Sequence, residues 1–181
     1  MYSLDIKAMC KVMDELGITR EVICAKSVKG LTAGHKYEIK RVDCQPYATN
    51  YEIEGADYDS CLFMEDMISP LMGALSEVKA GNALRLIGTL KSAQKVTLAV
   101  GSSRTVITRD ELLNIPVKGV LAIGRGEGCD IKKARYESDG EMMEFSFNMS
   151  VSRMHCIVYR EKEGLWRMFD VSSFGTSFIL G

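Results

Sequence analysis

Three short stretches in the last third of the chain hold the residues whose types and spacing suit chemistry best. Val120-Leu121-Ala122-Ile123 reads as a strand running into Gly124 and Arg125, with Gly126 and Gly128 just beyond. Val151-Ser152-Arg153-Met154-His155 comes next, and Asp170-Val171-Ser172-Ser173-Phe174-Gly175-Thr176 closes the series. Glycines beside an arginine suit an anion, but no Lys-Ser/Thr pair follows them and no G-x-G-x-x-G is present, so a nucleotide-cradling loop is disfavoured. The six cysteines, Cys10, Cys24, Cys44, Cys61, Cys129 and Cys156, form no C-x-x-C pair, and the only histidines are His35 and His155. Zinc and dithiol chemistry need closely spaced soft ligands, so these cysteines are expected to be small buried residues in a reducing compartment. With no nucleophile–base pair, metal-ligand spacing or coupled carboxylates, the chain is expected to be neither an enzyme nor a carrier of a metal or other cofactor.

The order I-G-R, then S-R-x-H, then D-x-S-S-x-G-T resembles the forkhead-associated (FHA) domain over residues 117–181. That resemblance implies a β-sandwich that reads phosphothreonine. A phosphothreonine brings close to two negative charges and three strong acceptor oxygens, and a guanidinium fork with short hydroxyl donors on loops between strands answers them. The resemblance implies that Arg125 pairs with the phosphate and that Ser152 donates its hydroxyl to it. Arg153, Ser173 and Phe174 are then expected to lie beside the bound peptide. Gly124, His155, Gly175 and Thr176 are expected to support the site, His155 by ordering the Ser152 loop rather than by acting as a base. The chain departs from the family at two places: Phe174 stands where an asparagine usually precedes Gly-Thr, and Leu180-Gly181 where an Asn-Gly turn is usual.

Rigid elements must carry these loops. Residues 4–16 space Leu4, Ala8, Met9, Val12, Met13 and Leu16 as one helix face, with Ser3 as N-cap and Gly17 as C-terminal stop. From Arg20 the pattern changes to short strands at 22–25, 37–42, 50–53 and 61–63, separated by Gly30, Gly34, Pro46 and Gly55. Within this region Lys29-Gly30-Leu31-Thr32-Ala33-Gly34-His35-Lys36-Tyr37-Glu38-Ile39 is similar to a signature of small SH3-like proteins common in phage genomes, which implies a phage or mobile-element origin and a small barrel over 21–68. Leu31 is expected to anchor the turn in the core and Gly34 to allow the chain reversal. Ser69-Pro70 opens a connecting helix over 70–79, strands follow at 83–87 and 95–100, and Thr108-x-x-Glu111 is a capping box limited to two turns by Pro116. The expected organisation is therefore mainly β with a few helices, an α+β class. It comprises an N-terminal helix and SH3-like barrel over 1–68, a connecting helix over 69–81 and an FHA-like β-sandwich over 82–181. Because the resemblance places further strands after Gly-Thr, residues 82–107 are expected to complete the sandwich from its N-terminal side. The alternative is pairing with a second chain.

Composition is consistent with two small folded modules: 181 residues, 46% apolar and 26% charged. Net charge is −1, divided as 9 Lys/Arg against 9 Asp/Glu in 117–181 and 14 against 15 before it. Neither part is a polycation, so nucleic acid is a weak default despite the local excess of Lys26, Lys29, Lys36, Lys40 and Arg41. No apolar run reaches the length of a membrane span and the start Met1-Tyr2-Ser3-Leu4-Asp5 does not read as a secretory signal, so a soluble cytoplasmic protein, in a host cytoplasm if phage encoded, is expected. The expected partner is a phosphorylated or acidic protein, and the oligomeric state is left open. Two other readings stay open beside it: a phage inhibitor or decoy docking on a host protein without phosphate, and a nucleic-acid-associated barrel using the Lys26–Arg41 face.

Overall fold

The computed structural model describes residues 20–45, 47–64, 70–79, 82 and 84–181; the helix expected over 4–16 lies outside them. The chain is mainly β with short helices, and its described residues divide into two compact units, 20–64 and 70–181. Among the described residues no helix is long and apolar enough to cross a membrane.

In the first unit β1 (Arg20–Cys24), β2 (Lys36–Ile39) and β6 (Phe63–Met64) form one antiparallel sheet in the order β2-β1-β6. A second sheet holds β3 (Arg41–Gln45), β4 (Ala48–Ile53) and β5 (Ala56–Asp59) in that order. The single strand expected over 37–42 is broken at Lys40, so its halves belong to different sheets. The strand expected over 61–63 begins instead as a 3-10 turn, Ser60–Leu62, because the Asp59 carboxylate accepts the Cys61 N–H at 2.9 Å and caps it. Leu31 is buried with Cys24, Ile53 and Phe63, and Gly34 takes φ +83°, a value that suits glycine.

The second unit opens with α1 (Pro70–Ser76), whose Leu71 and Leu75 are buried and which lies beside β10 (Val120–Ile123). β7 (Arg85–Leu90), β8 (Val96–Val100) and β9 (Ser103–Ile107) follow, and then α2 (Arg109–Asn114). The Thr108–Glu111 capping box forms in full, with Thr108 N–H donating to the Glu111 carboxylate at 2.9 Å and Glu111 N–H to the Thr108 hydroxyl at 3.1 Å. At the other end of α2, Trp166 Nε1–H donates to the Leu112 carbonyl and the buried Arg160 guanidinium to those of Leu113 and Ile115, satisfying carbonyls the short helix leaves open.

β13 (Cys156–Lys162) and β14 (Leu165–Asp170) stand between β10 and β7 in a four-stranded antiparallel sheet, β10-β13-β14-β7. β15 (Thr176–Leu180) pairs with β8, and β8 with β9, in a second sheet. Val96, Leu98 and Val100 alternate inward along β8 and meet Leu90, Ile123, Val158, Trp166 and Met168 of the first sheet in one core. Residues 85–107 therefore supply an edge strand to one sheet and two strands to the other.

β11 (Lys133–Ser138) and β12 (Glu141–Ser146) form a separate hairpin for which the sequence reading had no strands. Its two-residue Asp139-Gly140 turn has φ +51° and +79°, the geometry that matches strand twist. The hydrophobic alternation that signals a strand is weak here because every residue of β12 is exposed.

Candidate functional site

The Gly124–Arg125 step, the Ser152–His155 loop and the Ser172–Thr176 turn come together at the ends of β10, β13 and β14. Contact between the first two is through backbone: Arg125 N–H donates to the Ser152 carbonyl at 3.1 Å and Gly126 N–H to that of Arg153 at 2.9 Å. A side chain at Gly124 would put its Cβ 2.2 Å from the Arg153 carbonyl oxygen, so only glycine allows this approach. The Cys129 thiol also donates to the Arg153 carbonyl, at 3.0 Å, and burial pushes that thiol's pKa up.

His155 joins the second stretch to the third. Ser152 N–H donates to its Nδ1 at 3.0 Å, which fixes the ring proton on Nε2, and Nε2–H donates to the Gly175 carbonyl at 3.0 Å. Burial holds the imidazole pKa below its ordinary value, against the opposing pull of the Gly175 carbonyl and Asp170. The neutral ring is thus a spacer with both nitrogens occupied by backbone. Its own N–H and carbonyl bond to Ile123 and Val171, so it ties the ends of β10 and β14 as well.

Asp170 anchors the third stretch. Only 1% exposed, its carboxylate accepts from Ser172 N–H at 3.1 Å, Ser172 hydroxyl at 2.6 Å, Thr176 hydroxyl at 3.0 Å and the Arg85 guanidinium. Burial alone raises the pKa of such a carboxyl, but these donors, Ser172 first, outweigh it and hold Asp170 below the ordinary carboxylate value. The Ser172 hydroxyl also accepts Gly175 N–H at 2.8 Å and closes the turn.

What faces outward from this frame is cationic and hydroxylic. Arg125 donates Nε–H to the Val151 carbonyl, and among the described residues no carboxylate pairs with it or with the exposed Arg153. Ser152 Oγ accepts Ser173 N–H at 3.3 Å, a bond that leaves its own proton available. Phe174, at the tip of the turn, is 74% exposed.

Other nearby charges are engaged elsewhere. Glu127, close to Arg125 in sequence, lies 3.5 Å from Lys132 instead; Lys133 lies 3.7 Å from Glu144, and Arg135 pairs with Glu111 and Glu144. Three residues beside the site carried no signal in the sequence motifs. Asn82 bonds to Val171 and Ser173, Arg85 to Asp170, and Ser150, which precedes the Ser152 loop, accepts Ser102 N–H from the β8–β9 turn at 3.0 Å. These partners stand 48 to 91 positions apart, so no local spacing could have pointed to them.

Among the described residues no three His, Cys, Asp or Glu side chains converge as a metal site. Comparison with family models, curated proteins and solved structures gives no match for this chain.

Proposed function

We propose that the chain is a phosphothreonine-dependent protein-binding module, with an FHA-like sandwich as reader and an SH3-like barrel before it, encoded by a phage or mobile element. One observation carries this reading: the hydrogen-bonded frame of Ser152, His155 and Gly175 leaves the Ser152 hydroxyl proton and the Arg125 guanidinium tip unengaged by any acid among the described residues. A dianionic phosphate needs one fork-shaped cation and one short hydroxyl donor on a pre-formed loop. Strands β7 to β9 support the same reading, since β7 pairs with β14, β8 with β15 and β9 with β8, so that residues before the motifs supply strands to both sheets. The chain would then be a rearranged member of that fold.

The partner on this reading is a phosphorylated protein, met in the cytoplasm, where free thiols such as Cys24, Cys61, Cys129 and Cys156 stay reduced. Titrating the purified protein with a degenerate phosphothreonine peptide library, against the unphosphorylated library, tests it. Saturable binding of the phosphorylated library alone is expected, and equal binding of both rejects the reading. Docking without phosphate, as an inhibitor or decoy, is the second reading, and the exposed Phe174 ring beside the site favours it. A nucleic-acid role for the basic stretch is weakened by ion pairs of Lys40 with Glu38 and of Arg41 with Glu52 and Asp57.

A further inference from the structure

Asn82 reaches the site from the segment between α1 and β7. Its backbone N–H closes the turn after the helix by donating to the Lys79 carbonyl at 3.1 Å. Its side chain holds two points of the site's third stretch: Nδ2–H donates to the Val171 carbonyl at 2.8 Å, and Oδ1 accepts the Ser173 hydroxyl at 3.2 Å. Three residues on, Arg85 holds the same turn through Asp170.

A serine hydroxyl has one proton. With that proton on Asn82, Ser173 cannot give it to an anion, and its role passes to its N–H, which points at Ser152 Oγ from 3.3 Å. That contact fills one lone pair of Ser152 Oγ and so limits the directions its proton can take. We infer that Asn82 is a positioning residue of the anion site: it holds Ser173 so that Ser173 N–H keeps the Ser152 hydroxyl turned to donate to phosphate. The inference rests on the phosphothreonine reading and adds the element that sets the donor.

The test uses the full chain, the degenerate phosphothreonine peptide library as probe, and the variants Asn82→Ala, Asn82→Asp and Arg125→Ala. Asn82→Ala is expected to weaken phosphopeptide binding roughly fivefold to tenfold, the scale of one lost hydrogen-bonded positioning contact, and to speed hydrogen exchange at the Ser173 amide. Asn82→Asp keeps an acceptor for Ser173 yet adds a negative charge beside the anion, so it should bind more weakly than Asn82→Ala. Because Asn82→Asp also loses the donor to the Val171 carbonyl, the readout that a purely structural role does not give is faster exchange at the Ser173 amide with an unchanged unfolding midpoint. If Asn82→Ala loses its folding transition, Asn82→Asp against wild type carries the comparison.

Wild-type affinity in the Asn82 variants, with binding lost in Arg125→Ala, overturns the positioning role and leaves the phosphothreonine reading standing. Equal weakening by alanine and aspartate reduces Asn82 to a loop support and also overturns it. No phosphate-dependent binding by the wild-type protein overturns the phosphothreonine reading and the positioning role with it.

Discussion

Arg125 and His155 do different work within one loop junction, and substitution should separate them. Arg125 is half-buried and its side chain is bonded within the protein only through Nε, to the Val151 carbonyl, among the described residues, so removing that side chain takes a partner from one backbone carbonyl alone. Arg125→Ala should lower phosphopeptide affinity at least about tenfold, as expected for loss of a charge-assisted contact, with the unfolding midpoint nearly unchanged. Calorimetric titration beside a thermal melt reads both. His155 is the converse case: 0% exposed, it satisfies Ser152 N–H and the Gly175 carbonyl, and His155→Phe orphans both. A loss of roughly 1–3 kcal/mol of stability follows. Its pH dependence has a definite sign. Burial puts the folded-state pKa of His155 below the ordinary 6.5, so as pH falls below 6.5 the unfolded chain takes up the proton first. The stability His155 provides is full above that value and is lost progressively as pH falls towards the depressed folded-state pKa. The difference in urea midpoint between wild type and His155→Phe should therefore shrink between about pH 7.5 and about pH 5, and a constant difference would refute the assignment. Asp170 acts in a lower window. Its folded-state pKa lies below 3.8, so its contribution persists above 3.8 and is lost as pH falls further.

The elements explain why the junction exists at all. β10 delivers Gly124 against the backbone of the Ser152–Arg153 loop, where a Cβ would stand 2.2 Å from one carbonyl oxygen and 2.9 Å from the next. Both contacts are backbone, so no side-chain rotation relieves them. Gly124→Ala should force the two loops apart, costing on the order of 1–3 kcal/mol, and should weaken phosphopeptide binding even though no residue assigned to the phosphate is touched. A variant of wild-type stability and affinity would show that the loops do not need this approach. Gly124, Arg125, Ser152, His155 and Gly175 were singled out only through the FHA resemblance, by three short motifs in order, and not by periodicity or spacing. The capping box at Thr108 was legible on local grounds, since its two partners are three residues apart. Asn82 and Arg85 were not legible, because their partners lie on β14 and the turn after it, and pairing across a sheet leaves no mark on local spacing. The β11–β12 hairpin had a signal, Asp139-Gly140 between two strands of equal length, but the exposure of β12 removed the alternation that would have drawn attention to it. In the first unit the break at Lys40 was hidden because the residues on both sides of it favour strands.

Across the whole second unit, the site's three stretches depend on strands that precede them in the chain. β14 has β13 on one side and β7 on the other, and β15 has only β8 as its partner among the described strands. Without β7 to β9, one side of β14 and the whole of β15 would present unpaired backbone, and the core would lose Leu90, Val96, Leu98, Val100 and Ile107. Burial of one such side chain is worth roughly 1.5–3 kcal/mol, so losing five removes about 7.5–15 kcal/mol, as much as a domain's entire stability of about 5–15 kcal/mol. The motif-bearing stretch 117–181, although it holds every residue of the FHA resemblance, is therefore not expected to be an autonomous reader. A fragment of residues 69–181 should unfold cooperatively in urea and give dispersed amide resonances, whereas a fragment of 109–181 should do neither and should aggregate through its open edges. If 109–181 unfolds cooperatively at the same midpoint as 69–181, then β7 to β9 are dispensable to the fold, and the dependence of the site on Asn82 and Arg85 fails with it.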